Sequence, residues 1–336
     1  MKKNILIVGG AGFIGHNLCL SLIEDKYKVN IIDSLTVNNL RNIKKSKFYP
    51  NPKLYKSIVN ERFKLLKKKG IKIKILNALN TDQLDNHFKK IKPNVVIHLA
   101  AVSHANKSNQ DPNLAYENSL TTLKNSLISS VKNNVEHFIF LSSSMVYGNF
   151  KKNLVNENTI CNPVGIYGNL KFAAEFIIKS FKQTYNLDYT ILRPSALYGD
   201  RCISRRVGQI FIENALTKKP LIINGSLNEK LDFTHIDDLI LGIKLSIKNK
   251  KARSETFNIT YGQGRKIGSL IKILKEFFPD LKINLKKRDK LVPVRGTLST
   301  KKAKKLLNYK SKLPLEIGYK KYINWYKNFF ERKNEK

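Results

Sequence analysis

Asn4-Ile5-Leu6-Ile7-Val8-Gly9-Gly10-Ala11-Gly12-Phe13-Ile14-Gly15 is the stretch that decides the fold. Residues 4–8 form an apolar run of strand length, and glycines follow at once. From Phe13 to Ile23 the apolar spacing turns helical, with Leu18, Leu22 and Ile23 on one face. Strand, glycine turn and helix in that order make a phosphate cradle. Gly9 permits the tight turn, Gly12 lets backbone approach a pyrophosphate, and Gly15 allows helix and strand to pack closely. The helix N-terminus adds free N–H groups and the positive end of its dipole. A glycine turn by itself could be an ordinary turn. Here a second strand, Lys28 to Ile32, ends in Asp33, roughly 20 residues past the glycines, where a ribose-binding carboxylate belongs. That carboxylate accepts from both ribose hydroxyls and repels a 2′-phosphate. The stretch therefore predicts a dinucleotide site that favours NAD over NADP.

With 336 residues the chain can bury a large core, and its length suggests two domains. The apolar content of 42% is that of a globular protein. No apolar run is long enough to span a membrane. The opening residues mimic a signal peptide, but Gly9, Gly10 and Gly12 cut the apolar region short. Cys19, Cys161 and Cys202 are scattered and odd in number. They show no disulfide framework and no zinc pattern, which fits a reducing cytoplasm. The net charge of +37 comes from 62 basic and 25 acidic residues. Nucleic acid or an anionic surface is one reading of such a charge. The lysines, however, are spread over many segments, runs such as Lys67 to Lys69 and Lys301 to Lys305 are short, and no nucleic-acid motif accompanies them. Solvated faces are the expectation, with a diffuse positive field that draws in an anionic substrate.

Past Asp33 lies a polar connection, Ser34 to Leu40. Lys53 to Lys69 then reads as an amphipathic helix, with Leu54, Ile58, Phe63 and Leu66 against a basic face, expected to pack over a sheet edge. Strand and helix then alternate. Ile71 to Leu76 is a strand, and Thr81 to Ile91 a helix capped by Thr81 or Asn80. Asn94 to Leu99 is a strand running into Ala100-Ala101, and Asp111 to Val131 a long helix carrying Asn118. Glu136 to Leu141 is a strand ending in Ser142-Ser143-Ser144, followed by a helix from about Tyr167 to Tyr185. Asp188 to Leu192 leads into Arg193-Pro194, and Thr256 to Ile259 completes the set. This alternation predicts an α/β fold with a doubly wound parallel sheet of Rossmann type and a smaller C-terminal substrate-binding lobe. The expected division is 1–192 for the dinucleotide domain, with 235–262 returning to it. Residues 193–234 and 263–332 would form the lobe. Ligands in such sheets sit beyond the carboxyl ends of the strands. The glycine turn, Asp33, Ala100-Ala101, Ser142 to Ser144 and Arg193-Pro194 all fall there.

Tyr167 and Lys171 are four residues apart at a helix start, so they share a face. A free tyrosine, with a pKa near ~10, is a poor base at neutral pH. A lysine ammonium and a positive nicotinamide beside it would stabilise the phenolate. The phenolate could then take the proton of a sugar hydroxyl, with Ser143 or Ser144 holding the reacting oxygen. The histidines offer no rival: His98 lies within an apolar strand, His104 and His235 are isolated, and no pair has metal-ligand spacing.

With these residues in place the chain resembles the extended short-chain dehydrogenase/reductase family, specifically its NAD-dependent nucleotide-sugar epimerases and dehydratases. The matching segments are Gly9 to Gly15, Ser142-Ser143-Ser144-Met145-Val146-Tyr147-Gly148 and Tyr167-Gly168-Asn169-Leu170-Lys171. Leu192-Arg193-Pro194 with Leu197-Tyr198-Gly199, and Asp232-Phe233-Thr234-His235-Ile236-Asp237-Asp238, complete them. The resemblance implies Tyr167 as base, Lys171 as its partner and as a nicotinamide-ribose ligand, and Ser143 as the hydroxyl that polarises the sugar oxygen. It implies Asp33 at the adenosine ribose, with Phe13, Ile14, Asn77, Ala100, Ala101 and Pro194 also around NAD. Asn118 would position the sugar, Arg295 would contact the diphosphate, and a homodimer would form through the helices 111–131 and 167–185.

Departures from the pattern are informative. Asn77 stands where Asp is frequent. Leu231 replaces an Arg before Asp232, leaving Lys230 as the nearest cation, and Ala196 replaces an Asn. The dehydratases of the family carry acidic residues directly after the Ser/Thr. Ser144 and Met145 occupy those positions here, and neither can serve as general acid or base. The expectation is therefore epimerisation, at C4, of a nucleotide-sugar with NAD recycled in place, without a metal. A dehydratase, decarboxylase or dehydrogenase on the same substrate class is the alternative, and a non-catalytic NAD-binding protein the third reading.

Overall fold

The computed structural model describes residues 3–36, 43, 49–102 and 105–334. Seven strands build one parallel sheet: β1 (Asn4–Val8), β2 (Lys28–Asp33), β3 (Ile73–Ile75), β4 (Val95–His98), β5 (His137–Leu141), β6 (Tyr189–Arg193) and β7 (Glu255–Asn258). Their spatial order is β3-β2-β1-β4-β5-β6-β7, so the strand order reverses between β1 and β4. The crevice at that switch point is where a doubly wound sheet takes its ligand.

Period-two alternation explains why the strands are apolar throughout, since each successive side chain enters the opposite face. Ile5, Ile7, Ile31, Val95, Ile97 and Ile139 pack on one side with Leu18 and Leu22 of helix Phe13–Glu24 and Leu239 and Ile243 of helix Ile236–Lys248. Leu6, Val8, Ile32, Val96, Phe138 and Phe140 pack on the other. Their partners are Phe88 of helix Thr81–Ile91, Leu127 of helix Thr122–Lys132 and Ile178 of helix Gly165–Tyr185. The register sets Ile7 beside Ile31 and Ile97. A one-residue slip would exchange the two faces of a strand, at roughly 2 kcal/mol for each large side chain exposed.

A third apolar cluster lies in the C-terminal half, where Phe211, Ile212, Phe233, Leu274, Tyr319, Tyr322 and Tyr326 meet. Helix Pro52–Lys68 adds Leu54, Tyr55, Ile58 and Val59 to it. This corrects the sheet-edge expectation: only Leu66, near its C-terminal end, joins the sheet-side cluster. The apolar stripe was read rightly and its partner was not, because periodicity reports a face and not what covers it. Two other elements differ from expectation. The long helix after Asp111 is two α-helical pieces, Pro112–Tyr116 and Thr122–Lys132, joined by a π-helical turn at Glu117–Thr121. The strand expected over 71–76 is confined to Ile73–Ile75. Asn80 is the cap of helix Thr81–Ile91, its side chain accepting from the Gln83 N–H at 3.0 Å. Val37 to Leu40 of the polar connection, and His104, lie outside the described residues. No described helix is long and apolar enough to cross a membrane.

Candidate active site

At the switch point β1 ends in a turn that only glycines can make. Gly9 has φ +85°, and a side-chain carbon there would stand 2.8 Å from the Ala100 nitrogen. A carbon on Gly15 would stand 2.5 Å from the Gly10 Cα, so Gly15 lets the helix close on the turn itself, whereas helix–strand packing was expected. A carbon on Gly12 would meet nothing nearer than the Gly9 carbonyl oxygen at 3.4 Å. This position therefore opens onto a cavity of about 180 Å³, lined also by Gly9, Phe13, Ile14, Gly15, Asp33, Asn77, Ala100 and Ala101. Every residue expected on the adenosine and diphosphate side is thus gathered on one wall system.

Asp33 ends β2 with a buried carboxylate. Its Oδ2 accepts from the Ala11 N–H at 2.9 Å and its Oδ1 from the Leu35 N–H at 2.8 Å. Burial pushes this carboxyl above its ordinary range, while the two N–H donors and the Arg62 guanidinium pull it back. Each oxygen keeps a second lone pair, which fits a ribose diol. Arg62, fully buried, lines the same cavity and donates through Nε to the Arg201 carbonyl oxygen at 3.0 Å. Burial lowers its pKa to about 10. In the sequence Arg62 is one more cation on a basic helix.

A second cavity, of about 400 Å³, is lined by Ser143, Tyr167, Lys171 and Pro194. Ile14, Leu99, Ala101, Leu197 and Arg206 wall both cavities, so the two adjoin. Ser143 caps the short 3₁₀ turn Ser144–Tyr147, its Oγ accepting from the Met145 N–H at 3.2 Å. Lys171 is buried, with Nζ donating to the Leu141 carbonyl oxygen at 2.7 Å and lying 4.6 Å from the centre of the Phe140 ring. Burial pulls its pKa down to about 8 against the raising field of Glu175.

The C-terminal segments supply the far wall. Lys230 and Arg295 line the second cavity as expected, and Arg205, Arg206 and Arg288 join them. Arg295 is partly buried. Desolvation, then the charges of Arg206 and Arg288, lower its pKa to about 10, with Glu229 acting in the opposite direction. Glu229 itself is paired with Arg288 at 2.7 Å. Several guanidinium groups on one wall give it a positive field that suits an anion. Arg205, Arg206 and Arg288 had not been singled out, because single arginines carry no spacing signal in a chain this basic.

Asn118 departs from its expected place beside the sugar. It sits in the π-helical turn, lines the smaller cavity, and donates to the Leu114 carbonyl oxygen at 2.9 Å. The sugar-side place is what the family resemblance implies, whereas the extra residue of the π turn sets which side chains here face the sheet. Asp232 is an internal tie: its buried carboxylate accepts from the Gly262 and Leu298 N–H groups and the Thr260 hydroxyl, with its pKa raised to about 6 by desolvation. Ala196 holds φ +37°, a conformation asparagine tolerates better than alanine. No group of three metal-ligating side chains exists among the described residues.

A glycine cradle and ribose carboxylate joined to a Tyr–Lys cavity define a doubly wound, dinucleotide-dependent enzyme. The chain belongs to the NAD dependent epimerase/dehydratase family, whose pattern it matches over residues 5–260. It is 33% identical, over 96% of its length and 98% of the relative, to a putative UDP-glucose 4-epimerase of Methanocaldococcus jannaschii. It is 26% identical, over 99% of its length and 92% of the relative, to the dTDP-D-glucose 4,6-dehydratase of Homo sapiens. The crystal structure of UDP-glucuronic acid 4-epimerase from Bacillus cereus, in complex with UDP-glucuronic acid and NAD, superposes with a TM-score of 0.85 at 27% identity, covering 97% of this chain and 99% of that one. The cofactor is NAD, and the open face at Gly12 and the free lone pairs of Asp33 fit it.

Proposed function

We propose that this chain inverts C4 of a nucleotide-sugar. The observation that carries the choice of reaction is the lining of the Ser143–Tyr167 cavity. Its only carboxylates among the described residues are Glu229 and Asp289, both on the C-terminal wall with the arginines. The carboxylate nearest the serines, Glu175, is bonded to Ser142 and locked to Arg193 at 2.6 Å, and is absent from the cavity lining. Loss of water from the sugar needs an acid and a base beside the reacting carbon. None is offered there, and inversion needs only one proton acceptor.

Tyr167 takes the proton of the C4 hydroxyl, and the Lys171 ammonium stabilises the phenolate so formed. Ser143 holds the same oxygen. The chemistry NAD supplies when bound is reversible hydride transfer; Gly9 to Gly15, Asp33, Asn77, Ala100, Ala101, Asn118 and Pro194 hold it. Arg206, Arg288, Arg295 and Lys230 hold the diphosphate while the keto-sugar turns, and Tyr167 returns the proton on re-reduction. The helices 112–132 and 165–185 pack against each other and leave Tyr116 and Phe176 exposed, each at 58%, which supports a homodimer across this pair.

The test is NMR of the protein with UDP-glucose, UDP-glucuronic acid and dTDP-glucose in heavy water. Inversion at C4 without deuterium incorporation is expected, and Tyr167→Phe should lose it at least a thousandfold while retaining NAD. A 4-keto-6-deoxy product carrying solvent deuterium would overturn epimerisation in favour of dehydration.

A further inference from the structure

A carboxylate held by three hydrogen bonds lies one helical turn past Lys171 and outside the cavity. Glu175 is 1% exposed. Its Oε1 accepts from the Ser142 hydroxyl at 2.5 Å and from Arg193 Nε at 2.9 Å, and its Oε2 from Arg193 Nη2 at 2.6 Å. We propose that Glu175 is the positioning residue of the reacting cluster, fastening the helix of Tyr167 and Lys171 to the ends of β5 and β6 through one buried carboxylate. The inference rests on the reading of Tyr167 as the base.

Each bond leads to a group already placed at the cavity. Ser142 precedes Ser143. Arg193 precedes Pro194. On the helix, Glu175 and Lys171 are neighbours at i and i+4. Leu141, immediately before Ser142, gives its carbonyl oxygen to Lys171. Three positions at the two strand ends, Leu141, Ser142 and Arg193, are therefore fixed relative to one helix face. Arg193 is held in turn, its guanidinium lying 4.8 Å from the centre of the Tyr147 ring, whose hydroxyl donates to Asn258 Oδ1 at 2.8 Å. A buried ion pair of this kind adds little net stability over apolar packing. What it adds here is geometry, and a negative charge beside Lys171.

That charge separates positioning from plain support. The groups around Glu175 are Ser142, Arg193, Lys171, Tyr189 and Cys161. Lys171 faces Glu175 on its own helix and His98, held neutral by burial, from β4. Without the carboxylate, Lys171 loses its one raising neighbour and gives up its proton at lower pH. The alkaline limb of activity, where loss of the ammonium destabilises the Tyr167 phenolate, should move down.

The experiment compares wild type, Glu175→Gln and Glu175→Asp in pH profiles of kcat/KM with UDP-glucose and UDP-glucuronic acid, alongside the NAD off-rate of each holoenzyme. Glu175→Gln is expected to shift the alkaline limb down by about one pH unit, a tenfold loss at fixed pH on that limb, and Glu175→Asp to restore most of the shift. A uniform fall with an unmoved limb would mean structural support only and overturns the proposal. If wild type turns over neither sugar, the function itself fails. Glu175 is then judged on NAD release, expected about tenfold faster in Glu175→Gln above pH 7 alone, and release independent of pH overturns it. Should Glu175→Gln not fold, Ser142→Ala deletes one bond and leaves the ion pair intact. Its kcat should fall about tenfold with the limb unmoved, and a wild-type kcat refutes the positioning role.

Discussion

Acid should weaken this protein through a histidine that takes no part in its chemistry. His98 ends β4 directly before Leu99-Ala100-Ala101 of the cofactor wall. It is fully buried, with its ring 6.0 Å and 6.2 Å from the centres of Phe138 and Phe140. Desolvation, with the Lys171 charge added, holds its pKa down to about 3. In the unfolded chain the same ring titrates near ~6.5. Between those values the unfolded state binds a proton that the folded state refuses. The stabilisation is thus complete above pH 6.5 and is lost as pH falls toward 3. From pH 7 to pH 5 the loss works out at about 2 kcal/mol, taking 1.36 kcal/mol per pH unit below the unfolded pKa. His98→Phe removes this titration and keeps an aromatic ring, somewhat larger, in the site. Urea unfolding at pH 7 and pH 5 should show wild type losing about 2 kcal/mol more than the variant over that interval. His16 and His137, also pulled below their ordinary values by burial, act alike in both proteins and cancel, as does Asp232. Equal losses in the two proteins would refute the reasoning, whatever the variant's absolute stability at pH 7.

Two further expectations concern binding. Gly15→Ala places a carbon 2.5 Å from the Gly10 Cα, a backbone contact with nowhere to yield. The purified variant should carry little NAD, by the ratio of absorbance at ~260 and ~280 nm, and unfold about 1–3 kcal/mol more easily; full NAD content would refute the crowding. Arg295→Leu removes a partly buried cation that feels the charges of Arg206 and Arg288. The KM for the nucleotide-sugar should rise at least tenfold with kcat little changed, while the substrate-free protein becomes about 1–3 kcal/mol more stable in the same urea titration. A lower stability with unchanged KM would remove Arg295 from the binding wall.

What could be read in the sequence is what is local or periodic. Gly9, Gly12 and Gly15 precede a helix by a few residues, Asp33 ends the next strand, and Tyr167 and Lys171 share a helix face. In each case spacing along the chain is spacing in space. The arginines of the second cavity's wall come from three separate segments at 205–206, 288 and 295, and only the fold brings them together. Among 62 basic residues no count distinguishes them. Their place in the fold does, since all four line one cavity. Glu175 and Arg193 make the same point in reverse. In sequence they are an unremarked helix glutamate and the residue before a proline. In the fold they hold each other through two hydrogen bonds, and both stay out of the cavity that Lys171 and Ser143 line. The high net charge then needs no partner of its own to be consistent with the site. On the proposed function, a positive field around the cavity speeds the encounter with an anionic nucleotide-sugar, and it should do so less as salt is raised.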